Sequence, residues 1–326
     1  MKSMFRTLVP FTVVAWLAAC ENPQRDSIPV APHFGGIQAM SFANSEWSAP
    51  VNVGAPINSP AGEMNATLSP DDVSLYFTSD RAGGFGGTDI WVAQRACADC
   101  VWEAAANLGA LINGPGADAG PRLSIDGHLL FFQSDRPGGH GSGDIYVARR
   151  ADPNDNFAWE SPVNLGLDVN TAVNENAADY LQSAEDGAGN LYFNRPNPVQ
   201  LDLFYAPVTR NGETRGPAVL VSELSDATSL DQHASVRTDG KEVFFSSNRV
   251  GGVGGTDLYV STRGNVHEVW SPPLDLGAPL NTTATDQQPT LSRDGRTLLF
   301  ASNRPGGLGG QDLWISTRTP NGKEVP

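Results

Sequence analysis

SDRAGGFGGTDIW (79–91) is repeated along the chain as SDRPGGHGSGDIY (134–146), SNRVGGVGGTDLY (247–259) and SNRPGGLGGQDLW (302–314). The closing aspartates of these four copies are 55, 113 and 55 residues apart. The longer interval is just over two periods, and QLDLFY (200–205) lies in the missing place as a degenerate copy. A period near 55 over five copies predicts a repeat architecture.

Each copy lies inside a unit with the same internal order, which the second unit illustrates. The turn LSIDG (123–127) precedes the apolar run LLFFQS (129–134), and after the Gly-rich loop come the alternating run DIYVARR (144–150) and the Trp-led segment AWESPVNLG (158–166). Short runs rich in aromatic and β-branched residues, separated by Asp and Gly, predict strands joined by hairpins. Four such strands per unit are typical of a propeller blade, so we expect an all-β protein.

Tryptophans fix the number of blades. The fourth strand of a unit begins with Trp in every unit except the degenerate third one, the residues being Trp47, Trp102, Trp159 and Trp270. The first of these strands, 46–54, has no other strand of a unit before it, and the last unit ends without one. We therefore predict a five-bladed β-propeller over 46–318, in which 46–54 completes the fifth blade beside 312–318. Such closure removes exposed sheet edges. A short tail follows at 319–326.

The N-terminus has the pattern of a secretory signal. Lys2 and Arg6 precede an apolar stretch at 8–17, and small residues follow before a cysteine. This apolar stretch is too short to span a membrane. We therefore expect a signal peptide over 1–19.

The string LAAC at 17–20 resembles the lipobox of bacterial lipoproteins, in which Cys20 becomes the lipidated first residue. The resemblance implies a lipid anchor at Cys20 and a flexible tether over 20–45. Glu21 replaces the aspartate that retains lipoproteins at the inner membrane, which favours the outer membrane, on its periplasmic or surface side. The alternative is an ordinary signal peptide with an incidental cysteine.

Charge narrows the classes of partner. The chain has a formal net charge of −15 at pH 7. Nucleic acids bind to basic surfaces, so no nucleic-acid partner is expected. The expected partners are an envelope protein or a glycan, with the membrane reached through the lipid anchor, and we expect a monomer.

Cys97 and Cys100 form a C-x-x-C pair in RACADCVW (95–102), between the third and fourth strands of the first unit. A thioredoxin-like redox role needs a helix N-terminus, which this strand-rich stretch does not offer. A zinc site needs two more ligands, and the sequence has no second C-x-x-C. Outside the cytoplasm such a pair predicts a small disulfide that fixes the loop.

The repeats resemble the WD40-like β-propeller repeats of the translocation protein TolB and of many bacterial envelope proteins. The shared pattern is the L-S-x-D-G turn, the run F-x-S-[DN]-R-x-G-G-x-G-G-x-D-[IL]-[WY]-V and the segment W-x-x-P-x-N-L-G, over 46–318. The third unit, NRPNPVQLDLFY (194–205), keeps Arg195 and Asp202 but loses the glycines. TolB-type propellers have six blades, whereas this chain has five. The resemblance implies a binding surface in the cell envelope.

An arginine recurs before the aspartate that opens the third strand of each unit. Since a hairpin brings its two ends together, we expect an Arg–carboxylate pair within each blade. A residue repeated in every blade is more often structural than functional. The expected structural pairs are Arg81 with Asp89, Arg136 with Asp144, Arg195 with Asp202, Arg249 with Asp257 and Arg304 with Asp312.

A second carboxylate precedes the first strand of each blade, the residues being Glu63, Asp118, Glu175, Asp231 and Asp286. The first strand of a propeller blade lines the axial channel, so these five carboxylates are expected to ring one mouth of the channel. Two interpretations are open. Either each carboxylate is neutralised by an arginine of the SDR or SNR motif, or the ring binds a polar ligand or a cation such as calcium. No other cofactor is expected.

The sequence offers little support for catalysis, because it contains no G-x-S-x-G and no H-E-x-x-H motif. Five-bladed propellers include glycosidases that place two carboxylates across the axis, and Glu63 and Glu175 are the candidates here. DPNDN (152–156) has calcium-loop spacing at three positions but lacks the Gly and the final Glu, so we predict a turn. The leading prediction is a non-catalytic, lipid-anchored binding module. The alternatives are a glycan-active hydrolase and a structural envelope component.

Overall fold

The computed structural model describes residues 47–182, 189–197 and 200–319. The signal peptide, Cys20, the tether and all but one residue of the tail lie outside the described residues. No helix in these described ranges is long and apolar enough to cross a membrane.

The chain forms twenty strands in five four-stranded antiparallel sheets, which confirms the five-bladed β-propeller. Blade 1 comprises β2 (Glu63–Leu68), β3 (Ser74–Ser79), β4 (Asp89–Gln94) and β5 (Ala106–Asn107). Blade 2 comprises β6 (Asp118–Leu123), β7 (Leu129–Ser134), β8 (Asp144–Arg149) and β9 (Val163–Asn164). Blade 3 comprises β10 (Asn176–Gln182), β11 (Gly189–Pro196), β12 (Leu201–Val208) and β13 (Val219–Leu220). Blade 4 comprises β14 (Asp231–Val236), β15 (Glu242–Ser247), β16 (Asp257–Thr262) and β17 (Leu274–Asp275). Blade 5 comprises β18 (Asp286–Leu291), β19 (Thr297–Ser302), β20 (Asp312–Thr317) and β1 (Val51–Asn52).

Blade 5 joins the two ends of the described chain. Its strand order is β1-β20-β19-β18, and Val51 pairs with Ile315. Trp47 forms a further antiparallel bridge with Arg318. The N-terminal strand therefore closes the ring beside 312–317, as predicted.

The second strand of each blade packs against both neighbouring blades. All six residues of β3 are buried. Because side chains alternate along a strand, Tyr76 joins the cluster that includes Phe132 of blade 2, and Phe77 joins the cluster that includes Leu299 of blade 5. Burial of one such side chain stabilises the fold by roughly 1.5–3 kcal/mol. The apolar core therefore lies between the blades.

Two faces of the ring follow from the strand directions. The loop face carries the Gly-rich loops and the segments that join consecutive blades. The turn face carries the turns between the first and second strands of each blade. Trp47 and Arg318 both lie at the turn face, because they are at the end of β20 opposite to Asp312.

The first strands, which surround the axis, share a bulge. The register shifts in every one of them, and one residue there has a positive φ between 50° and 66°. These five bulge residues are Asn65, Gly120, Ala177, His233 and Gln288. The bulge re-aims the side chains that follow it, as bulges beside functional sites do.

A second arginine, at or just after the end of the third strand, explains the repeated tryptophan. Arg95 stacks over the ring of Trp102 at 4.2 Å, and its Nε donates to the carbonyl oxygen of Asp72 at 2.7 Å. The same arrangement recurs in three other blades, with Arg150 over Trp159, Arg263 over Trp270 and Arg318 over Trp47. Each of these cation–π contacts fastens the fourth strand to the first turn of its own blade.

Candidate functional site

On the loop face, every blade contains one buried ion pair between the repeated arginine, which follows Asp or Asn in each unit, and the carboxylate at the start of the first strand. The carboxylate side chains are 0% exposed, and the arginines are 8–19% exposed. The pairs are Arg81–Glu63 (3.0 Å), Arg136–Asp118 (2.8 Å), Arg195–Glu175 (2.9 Å), Arg249–Asp231 (2.5 Å) and Arg304–Asp286 (2.5 Å). This is the interpretation in which each carboxylate of the ring is neutralised by a motif arginine.

The remaining oxygen lone pairs of these carboxylates are also occupied. Glu63 accepts hydrogen bonds from the backbone N–H and the hydroxyl of Ser59 and from the hydroxyl of Ser79, at 2.6–3.0 Å. Glu175 likewise accepts from the N–H and hydroxyl of Thr171. The two glutamates considered as a catalytic pair are therefore completely buried and hydrogen-bonded within their own blades. The geometry favours a structural role for both.

The expected pairing of each arginine with the aspartate that opens the third strand is wrong. Asp89 instead accepts hydrogen bonds from the backbone N–H groups of Phe85 and Gly86 and from the side-chain amide of Asn107. Asp144, Asp257 and Asp312 accept N–H groups of their own loops in the same way. In the third blade, Asp202 accepts from the side chain of Asn197 at 3.0 Å.

Strand register explains this exchange of partners. Ser79 lies between Glu63 on one neighbouring strand and Asp89 on the other. Because the Gly-rich loop folds back over Asp89, that carboxylate is already occupied by loop N–H groups. Arg81 lies over the rings of Phe77 and Trp91 and pairs with Glu63, on the other side of Ser79.

The turn face contains a different arrangement, centred on the axis. Two residues after the bulge, the five first strands carry unlike side chains: Thr67, Arg122, Asp179, Ser235 and Thr290. They line an axial cavity of about 90 Å³. The bulge residues before them also differ from blade to blade, so the repeat symmetry is lost along this axial stretch of the first strands.

An ion pair crosses this cavity between two blades. Arg122 Nε of blade 2 lies 3.0 Å from Asp179 Oδ1 of blade 3, and Arg122 Nη1 donates to Thr290 Oγ1 of blade 5 at 2.8 Å. The backbone N–H of Val236 donates to Asp179 Oδ2 at 2.7 Å. Three blades thus meet at one guanidinium group.

Burial raises the pKa of Asp179, and the nearby Arg122 partly offsets that rise. Burial also lowers the pKa of Arg122. Asp72, in a turn at the same cavity, has a raised pKa, caused first by burial and next by the charge of Asp294. The cavity therefore holds two carboxyl groups whose ionised form is disfavoured by their surroundings.

Asp72 also breaks the repeat. Its φ is 60°, in the left-handed region, where the equivalent turn residues of blades 2, 4 and 5 are Gly127, Gly240 and Gly295. A left-handed backbone is unfavourable for most residues other than glycine. An aspartate is therefore present where the backbone geometry favours glycine.

Above the cavity, the channel narrows at the ring of bulge residues. The space there is about 10 Å³, which is roughly the room for one water molecule. Burial, with the charge of Arg122 second, lowers the pKa of His233 to about 3, so this imidazole is neutral at ordinary pH. Its Nδ1 has no hydrogen-bond partner among the residues that the structure describes.

Cys97 and Cys100 are joined by a disulfide bond in the loop between β4 and β5. In the described part of the chain, no group of three or more His, Cys, Asp or Glu side chains is placed to hold a metal ion. The DPNDN segment forms turns, in which Asp152 accepts the N–H of Asn154 and Asn156 contacts Tyr76 of blade 1.

No protein-family model matches the sequence, and no curated protein is similar to it. Among solved structures, the GH43_1 enzyme from Xanthomonas citri has a TM-score of 0.56 and 14% sequence identity, over 82% of this chain and 90% of that one. The catalytic domain of the GH62 α-L-arabinofuranosidase from Coprinopsis cinerea has a TM-score of 0.55 and 12% identity, over 84% and 96%. A putative TolB from Agrobacterium tumefaciens has a TM-score of 0.49 and 12% identity, over 85% and 99%, and we conclude nothing from it. At these identities the similarities show a shared fold alone.

The Arg122–Asp179 pair was not predicted from the sequence, although a signal for it was present. When the five units are aligned on their first strands, this position has a hydroxyl side chain in three units and a charged side chain in the other two. The charged residues at this position are therefore the feature that identifies the axial cavity.

Proposed function

We propose that the cavity at the turn face binds a carbohydrate and that the chain is a binding module of the cell envelope. The observation that carries the proposal is the set of unlike polar side chains at the axis, where one arginine and one aspartate stand among three hydroxyl groups. Carboxylates and guanidinium groups bind sugar hydroxyls by directional hydrogen bonds. A symmetric structural ring would not require different residues at one equivalent position.

Proteins of similar fold support the class of ligand. The protein from Coprinopsis cinerea is named an α-L-arabinofuranosidase, and another similar structure is a GH62 hydrolase in complex with xylotriose. Carbohydrate is therefore a ligand that this fold accommodates elsewhere.

A double substitution tests the site. Replacing Arg122 by Met and Asp179 by Leu together removes both charges and leaves neither unpaired, and such exchanges are often neutral for stability. We expect wild-type protein to bind at least one monosaccharide among L-arabinose, D-xylose, D-glucose and N-acetylglucosamine in NMR titrations, and the double variant to bind none. Absence of binding in the wild type, or unchanged binding in the folded double variant, would overturn the proposal.

Hydrolysis is a second candidate function, because Asp72 and Asp179 both line the cavity and both have a raised pKa. Glycoside hydrolysis needs a protonated carboxyl group as acid and a second carboxylate as base or nucleophile. The test is release of 4-nitrophenol from 4-nitrophenyl α-L-arabinofuranoside. Activity that is lost in both Asp72→Asn and Asp179→Asn favours hydrolysis, whereas binding without turnover leaves the module non-catalytic.

Membrane attachment through Cys20 is part of the proposal. The signal at 1–20 supports it, and we expect Cys20→Ser to abolish lipid labelling and to release the protein from the membrane fraction. Retention of label and of membrane association in that variant would exclude the lipobox interpretation. Comparison of inner- and outer-membrane fractions tests the outer-membrane prediction.

A further inference from the structure

A groove of about 510 Å³ lies between blades 5 and 1 at the turn face. Leu299 and Ile315 of blade 5 form part of its apolar wall, and Trp102 contributes from blade 1. The disulfide-bonded loop borders it through Ala98 and Asp99. Volumes of this size are typical of small-molecule sites.

One residue that lines the groove differs from its equivalents in the other blades. The third residue of β19 is Leu299, whereas the equivalent residues of the other four blades are aromatic: Tyr76, Phe131, Tyr192 and Phe244. Tyr76 contacts Trp159 of the next blade, with ring centroids 6.4 Å apart, and Phe244 contacts Trp47 at 5.8 Å. Trp102, which faces the smaller Leu299, is partly exposed, as is Trp47 beside Phe244, whereas Trp159 and Trp270 are only 5% exposed.

The groove is adjacent to the axial cavity, since Leu68, Asp72 and Leu299 line both. Together they form a radial cleft, which runs from the Arg122–Asp179 pair to the disulfide-bonded loop. A groove of about 380 Å³ between blades 3 and 4 has no lining residue in common with the axial cavity. Of these two grooves, the one beside blade 1 adjoins the axial site.

We propose that the radial cleft binds a linear, uncharged oligosaccharide by one end, with the terminal sugar in the axial cavity and the following sugars along the groove to Trp102. This deepens the proposed carbohydrate binding and rests on it. The narrow ring of bulge residues closes the inner end of the cleft, so a chain enters with its terminus rather than threading through the axis.

Charge and surface character support an uncharged, amphipathic ligand. The cleft is lined by three arginines and three aspartates, namely Arg95, Arg122, Arg293, Asp72, Asp99 and Asp179. This balance does not select for a polyanion such as a nucleic acid or for a strongly charged peptide. Sugar rings present C–H faces that pack on apolar side chains and hydroxyl edges that bind polar side chains. Arg95 covers one face of the Trp102 indole, so the apolar contact would come from the exposed remainder of Trp102 and from Leu299 and Ile315.

Two exposed valines provide a matched test. Val51 lines the groove beside blade 1 and is 63% exposed, whereas Val269 lines the groove between blades 3 and 4 and is 72% exposed. Substituting Trp at either site adds the same bulk without disturbing a buried side chain. Binding is measured by calorimetry with three pairs of probes: xylose and xylotriose, arabinose and arabinotriose, and glucose and cellotriose.

We expect at least one trisaccharide to bind wild-type protein about tenfold or more tightly than its monosaccharide, which corresponds to about 1.4 kcal/mol. Val51→Trp is expected to remove this gain and leave monosaccharide binding unchanged, whereas Val269→Trp keeps both. Equal affinities for the two chain lengths, or a gain that survives in Val51→Trp, would overturn the cleft proposal alone. If no probe of either length binds, the cleft proposal is wrong, and the carbohydrate function is wrong as well when N-acetylglucosamine also fails to bind.

Discussion

The loop face and the turn face are formed by the same five first strands, but they place charge differently. On the loop face each carboxylate pairs with an arginine of its own blade, and this geometry is repeated five times. On the turn face the charged pair nearest the axis, Arg122–Asp179, crosses from blade 2 to blade 3. The first arrangement follows the repeat, and the second departs from it.

This difference separates residues that build a blade from residues that are free to acquire a function. A fully buried carboxylate without a partner is very unfavourable, so every blade retains its arginine, including the degenerate third blade, where Arg195 pairs with Glu175. At the axial position of the turn face, Asp179 and Ser235 each accept a backbone N–H of the next blade, so these two side chains also link blades. The guanidinium of Arg122 and the carboxyl group of Asp72 have no equivalent in the other blades.

The largest expected effect is at the loop face. Asp231→Ala leaves the guanidinium of Arg249 buried without its carboxylate, and breaking one side of a buried pair costs about 3–5 kcal/mol. The free energy of unfolding, measured by urea denaturation, should fall by this amount. Asp294→Ala is the control, because its pair with Arg296 is half exposed and should contribute under about 1 kcal/mol. Equal effects for the two variants would contradict the structural role of the loop-face pairs.

Much of the fold could be predicted from the sequence because the repeat marks strand positions directly. The blade number and the closure by 46–54 followed from the places of the tryptophans alone. The partner of Arg81 could not be predicted in the same way, since Glu63 and Asp89 lie on opposite sides of Ser79. Only the fold of the Gly-rich loop over Asp89 decides between them.

The contact between Arg122 and Asp179 could not be assigned from the sequence for a different physical reason, although their positions stand out in the alignment of the units. Arg122 and Asp179 are on separate blades, and the bulge before each of them turns these side chains toward the cavity. The bulge residue has a left-handed backbone whether it is Asn65, Ala177 or Gly120, so a glycine in the sequence does not identify the bulge. The side chains of Arg122 and Asp179 therefore come together only when the five blades close into a ring.

A second prediction concerns the backbone contact between blades 5 and 1 that closes the ring at the loop face. Equivalent contacts join other pairs of neighbouring blades. A Cβ added to Gly309 of blade 5 would lie 1.8 Å from the carbonyl oxygen of Ala61 in the segment leading into blade 1. Gly309→Ala should therefore destabilise the protein by about 1–3 kcal/mol through overpacking. Gly310→Ala is the matched control, since a Cβ there meets no atom within 4 Å. Similar melting temperatures for both variants would show that this backbone contact does not hold the blades together.

The third prediction compares how much the two repeated aspartates of blade 4, Asp231 and Asp257, contribute to stability. Asp257 accepts the N–H groups of Val253 and Gly254, both in an exposed loop where water can replace the carboxylate. We expect Asp257→Ala to cost about 0.5–1.5 kcal/mol, clearly less than Asp231→Ala. A larger loss of stability in Asp257→Ala than in Asp231→Ala would reverse the assignment.

The smallest effect is expected at the turn face, from Asp72→Asn. The pKa of Asp72 is raised above its ordinary value of 3.8, mainly by burial, so the fold disfavours its ionised form. A raised acid pKa adds stability only while the group is protonated, and this contribution is lost as pH rises through the folded pKa. Relative to the neutral asparagine, the wild type should therefore be equally stable below pH 3.8 and slightly less stable at pH 7.

Asparagine also tolerates the left-handed backbone at this position, so the substitution adds no strain. Melting curves from pH 3 to pH 7 provide the measurement, with a difference that grows with pH. A difference of the opposite sign at pH 7 would mean that Asp72 stabilises the fold, and the turn-face aspartate would then belong with the structural set of the loop face.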